Sequence, residues 1–336
     1  MSAHNEELCL VCVDTGTTNT RVWVTEGERV LARVTAQVGV RDTARDGSPG
    51  RLRTALRDAI GEVRARASSV RPSCVVAAGM ITSSLGLADV PHTPAPAGLD
   101  ELAAAVLMQH FHDVSDLPFL LVPGVRTGTL DADTESINEV DLMRGEETLC
   151  LGLFEQNSLA ANSTLLNLGS HWKAIRLDER GRIASSVTRL TGELLHAAQT
   201  NTILASAVTQ ERPSELSEAW LAAGMRECRH SGLSRALFCV RLLEQAGRGT
   251  PDERYANLAG AFIAADLESL LAARTLTPAS PVLVTGGAAV AAGWLYALAE
   301  KSIPAVRLST EDGEQALLKG LRSIARVFIT TNQSDG

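Results

Sequence analysis

Two short polar turns hold the residue types best placed to do chemistry. The first, Asp14-Thr-Gly16-Thr17-Thr18-Asn19, follows the apolar run Leu10–Val13, and the second, Asn167-Leu-Gly169-Ser170-His171-Trp-Lys173, follows Thr164–Leu166. Each has a glycine two places after Asp or Asn and a hydroxyl directly after that glycine. Glycine lets the backbone approach a ligand closely or adopt positive φ, and the consecutive N–H groups of such a turn form a concavity for anions. Thr17, Thr18 and Ser170 add hydroxyl donors, and Lys173 offers a point charge for phosphate. Asp14, ending a buried strand, carries a carboxylate suited to magnesium, which takes one or two carboxylates together with water and phosphate. Either turn alone also reads as an ordinary meander turn. Their recurrence at matching positions favours a polyphosphate held between two facing turns, without a Walker loop.

A second group is Arg144-Gly145-Glu146-Glu147. Glu146 or Glu147 can accept the proton of a sugar hydroxyl, an effect worth roughly 10²–10⁴-fold, or hold substrate hydroxyls, and Arg144 can grip a substrate carboxylate with a bidentate fork. The same residues also fit the acidic first turn of a helix. Thr285-Gly286-Gly287-Ala288-Ala289 stands at a strand-to-helix junction, suited to the adenosine or ribose end of a nucleotide or to close packing of helix on sheet. Met80, Thr82, Ser83 and Ser84 follow a strand end and can line a pocket, while Asp131–Glu139 reads as solvated surface. The Walker, dinucleotide-binding and H-E-x-x-H patterns are absent.

Two copies of one pattern must position these residues. Residues 8–34 read as three strands, and Ser163–Val187 repeats them: strand, polar turn, strand, charged hairpin turn, strand. Val38–Gly50 then reads as a loop, Arg51–Ala67 as a helix and Ser73–Gly79 as a buried strand ending in the turn Ala78-Gly79-Met80. Pro91–Gly98 reads as a surface connection, Leu99–Phe111 as a helix, Pro118–Val122 as a strand, Arg126–Val140 as an irregular acidic stretch and Leu149–Phe154 as a helix. In the second half helices are expected over Gly192–Ala205, 213–226, 232–246, Asp252–Thr275, from Gly286-Gly287 to Glu300, and over Glu311–Val327. Strands are expected at Pro281–Thr285 and Ala305–Leu308. The alternation makes an α/β fold, and a boundary just before the second repeat divides it into domains of residues 1–157 and 158–336.

The 336 residues, 45% of them hydrophobic, suit about two globular domains. No apolar run approaches the roughly 20 residues that span a bilayer, and the start Met-Ser-Ala-His-Asn-Glu-Glu is too polar for a signal peptide. A cytoplasmic protein with no membrane partner is expected. A net charge of −8 without a basic run argues against a nucleic-acid surface. Six cysteines do not make a disulfide framework. Cys9 and Cys12 point to opposite faces of a strand and cannot share a metal, and His110 and His112 lack zinc-spaced partners.

Together the motifs resemble the 2-dehydro-3-deoxygalactonokinase family, a branch of the sugar kinase/actin/heat-shock-protein-70 superfamily. The matching pieces are Asp14-Thr-Gly-Thr-Thr-Asn19, Ala78-Gly-Met80, Val122-Pro-Gly124, Met143-Arg-Gly-Glu-Glu-Thr148, Gly169-Ser-His-Trp-Lys173, Thr191-Gly-Glu-Leu194 and Gly320-Leu-Arg-Ser-Ile324, in the family's order over nearly the whole chain. The Met-Arg-Gly-Glu-Glu-Thr string is the more specific, and the Asp-x-Gly-Thr turn is shared across the superfamily. The chain departs from the family's usual pattern with Ser at 170 and Ala at 174, and with Trp172 between His171 and Lys173.

The resemblance implies two ribonuclease-H-like (actin-like ATPase) domains with a cleft between them, the last helix able to pack back on the first. It implies ATP- and Mg2+-dependent phosphorylation of 2-dehydro-3-deoxy-D-galactonate, a small sugar acid, at its terminal 6-hydroxyl in galactonate catabolism. Transfer of the γ-phosphoryl group would be in line, with the lobes closing to exclude water. Asp14 would position Mg–ATP, Gly16, Thr17, Thr18, Asn19, Gly169, Ser170, His171 and Lys173 would contact phosphates, and Gly286 and Gly287 would lie near adenosine. Met80, Ser83, Arg144 and Glu146 would face the substrate. Superfamily sugar kinases often use an Asp as base, whereas here Glu146 and Glu147 come first, then Asp141. A homodimer is a candidate assembly. The competing readings are a kinase for a related sugar acid or hexose, and a non-catalytic ATP-binding sensor of the same fold.

Overall fold

The computed structural model describes residues 8–334; the start Met1–Glu7, read above as no signal peptide, and the last two residues lie outside the described residues. Contacts divide the chain into two units. One takes the chain up to Ser158 with Arg180–Ser185 and the chain from Glu314, and the other takes Leu159–Glu179 with Ser186–Gly313.

In the first unit β1 (Cys9–Thr15), β2 (Thr20–Glu26) and β3 (Arg29–Ala36) form an antiparallel meander. Leu10–Val13 are fully buried, the pattern of a strand covered on both faces. There follow α1 (Val40–Asp46), α2 (Gly50–Arg66), β4 (Cys74–Gly79), β5 (Thr93–Pro94), α3 (Leu99–Ala104), β6 (Leu107–His110), β7 (Pro118–Leu121), β8 (Val125–Thr127), β9 (Asp141–Met143) and α4 (Glu146–Glu155). The main sheet runs β3-β2-β1-β4-β7-β6, and β5-β8-β9 make a small side sheet. α2 buries Leu52, Leu56, Ile60 and Val63, one helical stripe, against Val11, Val13, Val75 and Ala77 of the sheet.

The second unit repeats the plan with β10 (Thr164–Leu168), β11 (Trp172–Leu177), β12 (Ile183–Arg189), α5 (Thr191–Asn201), α6 (Glu218–Ser231), α7 (Leu233–Gln245), α8 (Pro251–Ala272), β13 (Val282–Gly286), α9 (Ala288–Glu300) and β14 (Ala305–Arg307). Its sheet, β12-β11-β10-β13-β14, has the order of β3-β2-β1-β4-β7, and β11-β10-β13-β14 have the strand senses of β2-β1-β4-β7. α8 starts with a capping box between Thr250 and Glu253 around Pro251. It is buried on most sides because α6 crosses it at backbone distance: a Cβ added at Gly224 would stand 1.9 Å from Asn257 O.

The closing helix, α10 (Thr310–Ser334), groups with the first unit from Glu314 onward. Trp23 Nε1 donates to Glu314 Oε1 at 3.0 Å. α10 meets α4 through two glycines, since a Cβ at Gly152 would stand 1.7 Å from Ala316 O and one at Gly320 2.0 Å from Thr148 O.

Several elements differ from expectation. Val38–Gly50 is not all loop: α1 forms there because Asp42 accepts the Gly39 N–H at 3.1 Å and Gly47 closes the helix at φ 66°. The helix expected over Leu99–Phe111 stops at Ala104, and Leu107–His110 becomes a strand paired with β7. Its alternation of half-buried and exposed side chains shows that pairing overrides the local helical pattern. The connection Pro91–Gly98 contains β5, and its Ala97 is fully buried. α4 begins at Glu146 rather than Leu149, and α6 begins at Glu218 rather than 213.

Candidate functional site

Asp14 lies opposite Arg21 in the β1–β2 register, and Arg21 Nη2 donates to its Oδ2 at 2.5 Å. On the other side of β1, Thr15 pairs with Gly79 of β4. Gly79 has φ 84°, and a Cβ there would stand 2.6 Å from Thr15 O and 3.1 Å from Asp14 Oδ1. Gly145, at φ 105°, packs against Gly79, with a Cβ position 4.0 Å from the same Oδ1. The carboxylate is therefore tied to a cation through one oxygen and flanked at the other by two bare backbone positions that only glycine fits. Burial pushes the Asp14 carboxyl above its ordinary value, the charge and hydrogen bond of Arg21 pull it down, and Glu146 pushes it up again.

Gly145 also caps α4. Both carboxylate oxygens of the fully buried Glu147 accept the Gly145 N–H, each at 2.8 Å. Arg144 is nearly buried, donating to Thr82 Oγ1 at 3.0 Å and Val90 O at 2.7 Å, with His92 Nδ1 at 3.4 Å and Asp89 Oδ1 at 3.5 Å. Burial lowers its guanidinium pKa, while Asp89 and Glu147 raise it. It ties the segment after β4 to the start of α4. Met80 is half-buried; Ser83 Oγ donates to Met80 O at 2.7 Å and accepts the Leu85 N–H at 3.3 Å. The first unit thus brings together Asp14, Met80, Ser83, Arg144, Glu146 and Glu147. Glu146 is the half-buried member whose charge reaches Asp14.

The Gly16 turn is braced from behind. The Gly16 N–H donates to Asn19 O at 2.8 Å, and the carbonyls of Gly16 and Thr17 accept the N–H groups of Val40 and Arg41 at 3.3 and 2.9 Å. A Cβ at Gly39 would stand 2.5 Å from Thr17 O. Thr18 and Asn19 are exposed, linked by Asn19 Nδ2 donating to Thr18 Oγ1 at 3.1 Å. The Gly169 turn is likewise backed by a close-packed glycine, without the two backbone hydrogen bonds: a Cβ at Gly192 would stand 2.4 Å from the carbonyl oxygens of both Gly169 and Ser170, while the Leu194 N–H donates to Leu190 O. Ser170 is exposed, and His171 Nε2 lies 3.3 Å from Glu193 Oε1. Lys173 stands inside β11, buried and opposite Asn167, rather than on the turn itself.

Positive φ, one of the two reasons offered for glycine at 16 and 169, is not found at either position. An added Cβ would meet only Asn19 O at 3.6 Å or His171 O at 3.7 Å. The fold itself therefore does not demand glycine there, which leaves close approach of a ligand. The Gly286-Gly287 pair divides in the same way. Gly286, at φ 133°, would push a Cβ to 2.6 Å from Leu168 O, whereas Gly287 has nothing within 4 Å. Gly287, Gly169, Gly192, Arg212 and Tyr255 line a pocket of about 230 Å³ in the second unit, with the first residues of α9 at its edge. The unbonded N–H groups at a helix start suit that edge to an anion.

Sequence reasoning gave no site role to Arg21, Gly39, Gly192, Arg212 and Tyr255. Counting the hairpin register from the Gly16 turn would have placed Arg21 opposite Asp14. The 153-residue offset that relates Gly16 to Gly169 also relates Gly39 to Gly192. Arg212 and Tyr255 lie on segments with no local motif, and only the tertiary fold brings them to the pocket.

As to metal, no group of three His, Cys, Asp or Glu able to hold an ion occurs among the described residues. One buried-strand carboxylate with an open oxygen and Glu146 nearby fits magnesium, which draws most ligands from phosphate and water. It does not fit a structural zinc centre. No described helix is long and apolar enough to cross a membrane.

Component A of the Acidaminococcus fermentans (R)-2-hydroxyglutaryl-CoA dehydratase superposes with TM-score 0.52 at 14% identity, covering 95% of this chain and 98% of that one. The activator of the Clostridium difficile 2-hydroxyisocaproyl-CoA dehydratase, solved with bound ADPNP, gives 0.50 at 13%, covering 97% and 98%. The chain has the two-domain fold of actin-like ATPases and sugar kinases. A Sinorhizobium meliloti protein described as a 2-dehydro-3-deoxygalactonokinase superposes with TM-score 0.76 at 23% identity over 95% of this chain and 98% of that one. The 2-dehydro-3-deoxygalactonokinase of Escherichia coli K12 is 24% identical over 316 residues, covering 94% of this chain and 97% of its own. The model of the 2-keto-3-deoxy-galactonokinase family matches residues 14–324, and the chain belongs to that family. Membership makes it a sugar-acid kinase, a phosphotransferase acting on an alcohol group.

Proposed function

We propose that the protein transfers the γ-phosphoryl group of ATP to the terminal 6-hydroxyl of 2-dehydro-3-deoxy-D-galactonate, forming the 6-phosphate in galactonate catabolism. The observation that carries this is the family match from residue 14 to residue 324, which takes in every motif assigned a role. Asp14 would hold the magnesium of Mg–ATP, with Arg21 fixing its carboxylate and the charge of Glu146 close by. The bound ion supplies neutralisation of charge on the phosphates. Thr17–Asn19 and Gly169–His171 offer N–H and hydroxyl donors to phosphate oxygens, Gly16 leaves room for their approach, and the Gly287 pocket takes the adenosine end. Glu146 is also the candidate to accept the acceptor hydroxyl's proton. Arg144 and Glu147 act one step back, holding the 80–92 segment and the start of α4 in place. Met80 and Ser83 lie on the acceptor side. Phosphoryl transfer needs little covalent chemistry from the protein, so positioning and charge neutralisation carry most of the rate. The cytoplasm is the expected compartment, where ATP and the sugar acid meet.

The test is direct. Purified protein with ATP, magnesium and 2-dehydro-3-deoxygalactonate should give a product heavier by one phosphoryl group, with equimolar ADP. A panel of sugar acids and hexoses in the same assay measures specificity. A faster rate with another member of the panel would reassign the substrate, and ATP binding without any phosphorylated product would favour a sensor.

A further inference from the structure

One buried carboxylate of the second unit has no part in the reading above. Asp266, on α8, is 8% exposed and accepts a hydrogen bond from Thr191 Oγ1 at 2.6 Å. Arg189 Nη1 lies 3.8 Å from its other oxygen, and Arg189 Nη2 donates to Ser269 Oγ at 2.9 Å. Thr191 is the first residue of α5, and the next two residues both touch the Gly169 turn. Gly192 is pressed against the Gly169 and Ser170 carbonyls, and Glu193 faces His171. A chain of direct contacts therefore runs from Asp266 through Thr191 and Gly192 to the turn. Its base is firm, because α8 is the most deeply buried helix of its unit, with Leu258, Ala259, Ala261 and Ile263 fully enclosed.

The first unit anchors its backing glycine in a different way. There Gly39 plays the part of Gly192, and its N–H is held by Asp42 from within the same helix. At the position matching Asp42 the second unit has Leu195, so α5 cannot anchor its own start in that way. Asp266 reaches in from a neighbouring helix instead. Burying a carboxylate is costly unless it is bonded, and a core position with no further task is served as well by an apolar residue.

We infer that Asp266 is a positioning residue for the nucleotide: through Thr191 it fixes the start of α5 and with it the Gly169–His171 turn that meets the phosphates of ATP. This rests on the proposed kinase reading. The test uses the full-length protein with Asp266→Ala, Thr191→Val, Thr191→Ser and the double variant Asp266→Ala/Thr191→Val. ATP affinity is measured by calorimetry without sugar acid, and KM for ATP and for the sugar acid by ADP release. Asp266→Ala and Thr191→Val should each weaken ATP binding about tenfold, the scale of a hydrogen bond to a charged group. KM for the sugar acid should change less than twofold, and Thr191→Ser, which keeps the hydroxyl, should bind ATP like wild type. The double variant should be no weaker than the worse single one, because both remove the same bond. Lower thermal stability with unchanged ATP affinity, or losses that simply add, overturns the inference. Should Asp266→Ala fail to fold, the Thr191→Val and Thr191→Ser pair decides. Wild-type protein that binds ATP but does not phosphorylate the sugar acid strikes the substrate reading alone and leaves the calorimetric test standing; wild type that binds no ATP overturns both.

Discussion

At the end of β1 the first unit has a carboxylate, Asp14; at the matching place on β10 the second has an amide, Asn167. The surrounding backbone is nearly the same. In each unit a positive-φ glycine of the next parallel strand, Gly79 or Gly286, packs on the preceding strand's carbonyl, with a Cβ position 2.6 Å from it. In each a turn glycine that the fold does not require is backed by one that it does. What differs is the charge placed on the shared frame. The first unit adds Arg21 and Glu146 around Asp14, whereas the second pairs Asn167 with Lys173 and opens an apolar-edged pocket beside Gly287. The duplication supplies two glycine turns on one frame, and in the proposed function the side chains divide the work, with metal and acceptor chemistry assigned to one unit and nucleotide holding to the other. A second carboxylate at 167 would repel the phosphates that its turn is suited to receive.

The most severe way to break this comparison is to exchange the two residues. Asp14→Asn should lower kcat on the order of a thousandfold, the scale of losing one preorganised group at a site of developing charge, with KM for the sugar acid little changed. Asn167→Asp should cost under about tenfold and act mainly on KM for ATP. Steady-state kinetics on both variants decides, and equal kcat losses would erase the proposed division.

Next come the two neighbouring glutamates, which the sequence presents as equals. Glu146→Gln should reduce kcat on the order of a hundredfold, as expected when an acid–base group is lost, with Tm within a degree or two of wild type. Glu147→Gln should do the opposite. Its carboxylate is fully buried on the Gly145 N–H, so the loss is about 1–3 kcal/mol of stability, read as a lower urea midpoint. Were Glu147→Gln stable and inactive, the roles of the two residues would be reversed.

The contrast between the glutamates also shows where the sequence is legible. The meanders, their polar turns and the α/β order follow from apolar runs and glycine spacing, because those signals are local. Which of two adjacent acids turns inward depends on where α4 starts, and that is set by Gly145 at φ 105° and by α10 packing through Gly152 and Gly320. Arg144 reads as a free fork for a carboxylate, yet it is largely occupied by Thr82 and Val90, more than fifty residues away in sequence. α1 and β6 were missed for the same reason: a short helix braced on a turn and a strand completed by its neighbour take their stability from tertiary contacts rather than from their own composition.

The glycines allow a finer comparison within each unit. Gly79→Ala and Gly286→Ala force an L side chain into positive φ and onto a strand carbonyl, so each should lose about 1–3 kcal/mol of stability. Gly169→Ala and Gly287→Ala should stay within about 0.5 kcal/mol of wild type and still raise KM for ATP several-fold, because only the ligand needs that space. Thermal melts beside ATP titrations separate the two classes. A Gly169→Ala protein that melts normally and binds ATP normally would remove the turn from the nucleotide site.

The smallest expected effect concerns pH and isolates Asp14 from its counterpart. Burial raises the Asp14 pKa above its ordinary value of 3.8, so folding favours the protonated carboxyl. Its stabilising contribution is complete below about pH 3.8 and is lost as pH rises through the higher folded-state value. Asp14→Asn has no such dependence, so the Tm of the variant minus that of wild type should grow as pH is raised from about 3.5 to 7. Asp266, whose carboxyl burial also raises, is common to both proteins and drops out of the difference. In the proposed function activity runs the other way, because an Asp14 that holds magnesium must be ionised: the acid limb of wild-type kcat/KM should lie above 3.8. Asn167→Asp gives the matching control at the second turn. A Tm difference that is flat or shrinks toward neutral pH would mean that Arg21 outweighs burial at Asp14, leaving the two turns electrostatically more alike than their sequences suggest.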